Sequence, residues 1–596
     1  MITTRSSVTL RNACFAALLI CLFTVGAQAK KPHIMALTPP TPTQAALLER
    51  AIANEKVMEK ELQKRIPMVQ TYIQNVKPDA KLATVPVSDE YILSRVDFGK
   101  SFEADGYREK SKGLLQGSKG ALGVLSKALG LTAEYVPTGF MDMMFIDTAN
   151  FDRQHYDFGF VRNDFLGTVH TQVFDVLPKQ KNSSGRFTGR IWIEDQEGAV
   201  VRVNGIFTGN AHLDRPRYFH FDSWRVNLQP GVWLPAEIYV EETHGNRLDD
   251  EPDLRAQTSF WGYSLKLPSH EAENTAIQID NVTDNSDQSQ DVSPLQAERA
   301  WVAQAEANVL DRLVQAGVLA PPSDFDKVLE TVTNNLIIGN NLQLPDPVHC
   351  RVLLTAPLES LAVGNTILLS RGLIDVLPYE EDLAAVLSFQ LAHITLGHHI
   401  DTRYAFNDRL LFPDEVTFQR ITMNHSAGDD SVAAKKAIEF LNKSVYHDHL
   451  ANAGLFFAQL QNRSKQLKAL TTPRIGDSLL SADGTPWLVE LTKAAPRLDI
   501  DKLDQIAALP LGSHLKVDAW DDKVLQLNAK PIALLNARDK MPFEVTPILF
   551  RLTRYTDPAL AANSGTAPAS SGGGAAIAAQ TTPTGGNTAR SAHAQQ

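Results

Sequence analysis

The sequence predicts an α+β, multidomain protein: an antiparallel curled β-sheet domain, then a mainly helical domain, then a small β-containing C-terminal domain. Three observations carry this. The chain has 596 residues, more than one hydrophobic core normally serves. Between residues 132 and 267, short alternating runs are punctuated by turn residues such as Glu197-Gly198 and Gln229-Pro230-Gly231, the pattern of a meander. Between residues 297 and 470, apolar residues recur at helical spacing instead.

Residues 1–29 read as a secretory signal peptide. Arg5 and Arg11 precede the apolar run from Ala13 to Val25, and Ala27-Gln28-Ala29 is a small-x-small cleavage site. The run falls short of the roughly 20 apolar residues that a membrane span needs. The expected destination is the periplasm or the exterior, with no transmembrane span after cleavage. Cys14 and Cys21 would leave with the signal, so Cys350 alone remains and no internal disulfide forms. Cys350 reads as a small buried apolar residue. The formal charge is −11, with 43% hydrophobic and 21% charged residues. That leaves no basic face for nucleic acid.

Residues 30–131 read as a helical N-terminal region. Leu47, Leu48, Ala51, Ile52, Val57, Leu62, Ile66 and Val69 form an apolar stripe over 43–75, and a second helix is expected over 112–130. Residues 132–267 follow as the antiparallel β domain, with strand-like runs from Met144-Phe145-Ile146 to Phe260-Trp261. Trp192, Trp224, Trp233 and Trp261 read as core. Residues 268–296 are polar and acidic, a linker. Residues 297–470 form the helical domain and 471–556 an accessory domain with hairpin signals. The tail, 557–596, is rich in Ala, Ser, Gly and Thr and is expected to be disordered.

The stretch from Glu380 to His399 reads as one amphipathic helix, with Glu380, Glu381 and Asp382 in its first turn and Gly397 as its stop. Its centre, Phe389-Gln390-Leu391-Ala392-His393, has the frame of H-E-x-x-H, in which two His bind zinc and the Glu is the general base. The flanks are Arg351-Val352-Leu353-Leu354-Thr355, Ser370-Arg371-Gly372-Leu373-Ile374-Asp375 and Asp382-Leu383-Ala384-Ala385-Val386-Leu387. In order and spacing they resemble the HtpX, BepA and CAAX-prenyl-protease family of zinc metallopeptidases. The resemblance implies a zincin-like (gluzincin) peptidase domain. It retains one ligand, His393. In the downstream segment His447-Asp448-His449-Leu450-Ala451, it puts His447 in place of the family's Glu ligand. Gln390 stands at the general-base position, and an amide cannot take a proton from metal-bound water. The resemblance also implies an edge strand through Asn365, Ile367 and Leu369 that would hold extended peptides by strand addition. Phe389 would occupy the ion's space, so absence of a cofactor is favoured over zinc at His393 and His447.

Within the β domain, Val173-Phe174-Asp175-Val176-Leu177-Pro178-Lys179 and Gly185 to Gly205 are similar to the curled sheet of LolA- and RseB-like lipoprotein carriers and sensors. That resemblance implies an apolar cavity for acyl chains. The sequence therefore points to an exported metallopeptidase-family protein, catalytically degenerate, that binds polypeptide or lipidated partners in the cell envelope. Two alternatives stay open: an active zinc metalloendopeptidase with altered ligands, and a lipid or lipoprotein carrier or sensor acting through the β domain.

Overall fold

Ten strands form one open antiparallel sheet: β1 (Arg65–Asp79), β2 (Ala83–Val96), β3 (Ala104–Gly106), β4 (Tyr156–Leu166), β5 (Val169–Pro178), β6 (Phe187–Glu194), β7 (Val200–Phe207), β8 (Tyr218–Gln229), β9 (Val232–Thr243) and β10 (Pro252–Leu265). The order across the sheet is β3-β2-β1-β10-β9-β8-β7-β6-β5-β4. Chain neighbours pair directly except β3 and β4, which lie at opposite edges, and β10 closes the order by pairing with β1. The structure is a computed structural model. It describes residues 37–79, 83–98, 104–106, 140–147, 150–180, 186–207, 218–243, 252–265, 294–377, 379–400, 423–499, 515–518, 523–526 and 552–555. The signal peptide, the helix expected over 112–130, nearly all of the linker, much of the accessory domain and the tail lie outside these residues.

Strand alternation sends neighbours to opposite faces. Ile191 and Ile193 join one apolar cluster with Phe174, Val203 and Ile238. Trp192 joins another with Val173, Val201, Trp224 and Trp233. All four tryptophans read as core are buried.

The first face is covered by α1 (Pro42–Gln63). Its start is a capping box: Gln44 N–H donates to Thr41 Oγ1, and Thr41 N–H donates to Gln44 Oε1. Leu47, Leu48, Ala51, Met58 and Leu62 pack into the sheet together with the segment from Phe140 to Ile146. Among the described residues, the crevice lined by Ile52, Glu55, Phe145 and Phe151 has a volume of about 20 Å³, room for about one water. Met141–Met144 is a 3-10 turn where a strand was expected from Met144.

The helix expected over 43–75 stops at Gln63, and the region to 131 is not wholly helical. From Arg65 the chain is β1, hydrogen-bonded to β2 and to β10. Ile66 and Val69 match a helical stripe by spacing alone. A ladder with residues about 190 positions away overrides that local pattern.

The second layer holds α2 (Pro294–Gln315), α3 (Asp324–Gly339), β11 (His349–Leu353), β12 (Glu359–Val363), β13 (Thr366–Ser370), α4 (Arg371–Val376), α5 (Glu380–Leu396), α6 (Ala427–Asn442), α7 (Leu450–Arg463), α8 (Lys468–Thr471), β14 (Asp477–Ser478) and α9 (Val489–Ala494). A hairpin of β15 (Leu515–Asp518) and β16 (Lys523–Gln526) follows. The small sheet runs β11-β13-β12-β14. Thr366–Ser370, expected as an edge strand, is therefore interior, paired parallel to β11 and antiparallel to β12. Ile367 and Leu369 are fully buried. Asn365 sits at the β12–β13 turn, where its carbonyl accepts His349 N–H at 2.9 Å. These three residues offer no free ladder to a peptide.

Helix α5 is not amphipathic: every residue from Ala384 to His393 is buried, as in a helix enclosed on all sides. Packing from α3, α6, α7 and the small sheet encloses it. It ends at Gly397, whose φ of 68° is the left-handed cap position that glycine fills without strain. Asp89 of β2 ties the layers together by accepting Ala469 and Leu470 N–H at 2.8 and 2.9 Å. Cys350 is buried, its thiol pushed up to about 12 by burial, which fits an inert core residue.

Candidate metal centre

His393 lies in the last turn of α5 and is fully buried. Three other chelating side chains converge on it: His425, Asp430 and Asp477. One ligand atom from each of the four residues lies within 4.8 Å of all the others. His425 precedes α6, Asp430 is in the first turn of α6, and Asp477 lies on β14. Close packing of α6 on α5 and pairing of β14 with β12 bring these elements together.

The hydrogen bonds fix which atoms are spoken for. Asp477 grips His425 at two points, accepting its backbone N–H at 2.7 Å and facing its Nδ1 at 2.8 Å. A carboxylate accepts, so a hydrogen sits on Nδ1, and in the neutral imidazole Nε2 is then the ligand atom. His425 Nε2 is buried without a hydrogen-bond partner, and so are His393 Nε2 and Asp430 Oδ1. His393 Nε2 and Asp430 Oδ1 stand 3.5 Å apart. Two ligands on a tetrahedral ion with bonds near 2.1 Å are separated by about 3.4 Å. The His393 and His425 rings lie 3.9 Å apart between centroids, tilted by 31°.

The second layer of contacts is equally specific. Gly397 turns the chain back so that His398 Nδ1 meets His393 Nδ1 at 3.1 Å. The other His398 nitrogen is 3.7 Å from Asp429. Gln390 donates from Nε2 to Ser360 Oγ at 2.8 Å and to Asp477 Oδ2 at 3.2 Å, leaving its own carbonyl oxygen unpartnered. Phe389 stands edge-on to His393 at 4.9 Å and forms an apolar wall of the cluster.

Burial drives the electrostatics. It pushes His393 down to about 3, helped by the neighbouring His425 ring. It pushes Asp430 up to about 8, with the nearby Asp477 and Asp429 charges adding to the effect. Without a cation the lowest-charge arrangement is a neutral imidazole beside a protonated Asp430. With a divalent cation the same atoms become ligands, because a metal takes neutral imidazole and ionised carboxylate.

Of the residues that the sequence singled out, His393 is in the cluster and Gln390 lies against it. His447 is on a 3-10 turn with its side chain 56% exposed. Its Nε2 faces Asp448 at 3.1 Å and its Nδ1 faces the Ser444 carbonyl at 3.1 Å. It takes no part in the cluster. His425, Asp430 and Asp477 escaped the sequence reading. The available signal was His425-Ser426 followed by Asp429-Asp430 at the head of a helix, a His and a carboxylate within about one turn of each other.

No family model matches the chain, and no curated protein matches it. Solved structures similar to part of it include the following two. One is a LolA superfamily protein from Nitrosomonas europaea, 13% identical, covering 38% of this chain and 95% of that one at a TM-score of 0.20. The other is a DUF1329 family protein from Desulfovibrio piger, 12% identical, covering 40% and 100% at a TM-score of 0.18. The first bears the superfamily name that the strand pattern of the β domain resembles. Neither score carries function across, and the comparisons give no support to the metallopeptidase resemblance.

Proposed function

We propose that this protein is built around a divalent-metal centre in which His393, His425 and Asp430 supply the ligand atoms and Asp477 fixes the tautomer of His425. The observation that carries the proposal is the convergence of three buried, unpartnered ligand atoms: two imidazole Nε2 atoms and one carboxylate oxygen. Buried polar atoms are normally satisfied, and a cation would satisfy all three at once. The pairing of Asp477 with His425 is the carboxylate–histidine support usual behind a metal-bound imidazole. A nitrogen-rich set with carboxylate oxygen suits zinc among the first-row ions. The bound ion would supply charge neutralisation and Lewis acidity.

In this proposal the centre is not hydrolytic. Gln390 stands where the metallopeptidase resemblance would put a base, and its amide is engaged with Ser360 and Asp477. This favours the catalytically degenerate reading of the chain over an active endopeptidase.

Elemental mass spectrometry on the purified full chain tests the metal. Close to one zinc per chain is expected, lost in His425→Ala and in Asp430→Asn and retained in His447→Ala. Absence of metal from the zinc-reloaded wild type would overturn the proposal. Zinc-loaded protein is expected to leave an unfolded casein substrate intact. Cleavage that chelator and His393→Ala both abolish would restore the peptidase.

A further inference from the structure

Outside the His393 cluster, four residues, Leu552, Thr553, Arg554 and Tyr555, lie on the Trp-rich face of the ten-stranded sheet. Leu552 is 3% exposed and packs in the cluster of Leu166, Val169, Val173, Trp192, Trp224 and Trp233. Its carbonyl accepts the N–H and the hydroxyl of Thr168 at 3.0 and 3.3 Å. Arg554 reaches the fully buried Glu194 carboxylate at 2.6 Å, with Asp195 at 3.7 Å. Tyr555 N–H donates to Asn227 Oδ1 at 2.8 Å. A short segment is thus read through one apolar side chain, one cation and two main-chain groups. This is the division of labour by which proteins recognise extended peptides.

The receiving groups are held in place without the segment. Glu194 accepts the N–H groups of Gln196, Glu197 and Ala199 at 3.0, 2.6 and 3.1 Å, so its carboxylate is fixed by its own hairpin. Asn227 donates its amide to the carbonyls of Gln229 and Val232 at 2.8 and 3.2 Å, which aims its oxygen outward. The floor is rigid too. The Arg202 guanidinium is sandwiched between the Trp192 and Trp224 rings at 4.4 and 4.3 Å and is paired at both ends with Asp222. Preorganised acceptors around an apolar floor make a receptor; the acidic pair Glu194 and Asp195 selects a basic side chain.

We infer that this face is a peptide-recognition site for an extended Leu-x-Arg segment, and that residues 552–555 occupy it in cis. A tethered occupant competes at an effective concentration in the millimolar range. A peptide in trans therefore enters only when the cis segment is displaced.

The test uses a fluorescein-labelled peptide of residues 550–557 and the full chain carrying Leu552→Ser with Arg554→Ser, its fold checked by circular dichroism. Fluorescence anisotropy is expected to show saturable binding to this opened chain, at least tenfold tighter than to wild type. Adding Glu194→Gln to the opened chain is expected to weaken binding at least tenfold, and a scrambled peptide is expected not to bind. If the double substitution unfolds the chain, Arg554→Gln alone serves as the opened form. Absence of binding to a folded opened chain overturns the site. Equal binding to wild type and opened chain overturns the cis occupancy.

Discussion

Two regions of this molecule bury charge, and they do it in opposite ways. In the sheet layer three buried or half-buried arginines each have an acid against them. Arg190 meets Asp175 at 2.8 Å, Arg202 meets Asp222 at 2.6 Å, and Arg225 meets Glu55 at 2.6 Å. In the His393 cluster two carboxylates and two imidazoles gather, and no Lys or Arg of the described residues is paired with them. A buried charge is costly unless it is paired. These arginines are therefore neutralised by the chain's own side chains, whereas the cluster lowers its charge by a proton on Asp430 or, in the proposal above, by a metal cation.

Changes that break each arrangement should differ accordingly. The largest effect is expected from Glu55→Ala. It strands the Arg225 guanidinium, 2% exposed, and should cost about 3–5 kcal/mol in urea unfolding. Replacing Glu55 and Arg225 together by apolar residues should recover most of that loss. A loss that persists in the double variant would show that packing, not pairing, dominates the site.

The cluster should respond to chelator where the sheet pairs do not. With free zinc at 100 times its Kd, binding adds about 2.7 kcal/mol. Removing the metal should lower the thermal midpoint of the wild type and leave His425→Ala unmoved. An equal drop in both would place the metal effect elsewhere.

A smaller, pH-dependent effect comes from acids buried without full compensation. Burial pushes Glu237 up to about 7 and Glu359 up to about 8. The folded chain then keeps protons that the unfolded chain, near 4.5, has released. Their contribution is fully present below that value and is lost as pH rises through 7 to 8. Denaturation midpoints of wild type should fall between pH 5 and 9, and those of Glu237→Gln with Glu359→Gln should fall less. A steeper fall in the double variant would reverse the assignment.

The smallest effect belongs to His447→Ala. The side chain is solvent-exposed, so stability should shift by less than about 0.5 kcal/mol and metal content should not change.

How much of this was legible in the sequence follows the range of the interactions. The α5 helix, its acidic start and its Gly397 stop were readable because capping and the helix dipole act within a turn. The strands from Tyr156 to Leu265 were readable from alternation. Strand β1 was not, because its partners are remote and its apolar spacing also fits a helix. The interior place of Thr366–Ser370 depends on β11 and β12, and an apolar run reads the same at an edge or in the middle. His393 was found because a motif frame pointed to it. His425, Asp430 and Asp477 come from two further elements, and no local spacing joins them.

Strand β14 has a consequence for how the protein is made. It is only two residues long, yet it delivers Asp477, which is 52 residues downstream of His425 in the chain. A ribosome-bound chain that has not yet reached Asp477 lacks the group that orients His425. In the proposed centre, ion capture would therefore wait until Asp477 has been synthesised and β14 has paired with β12.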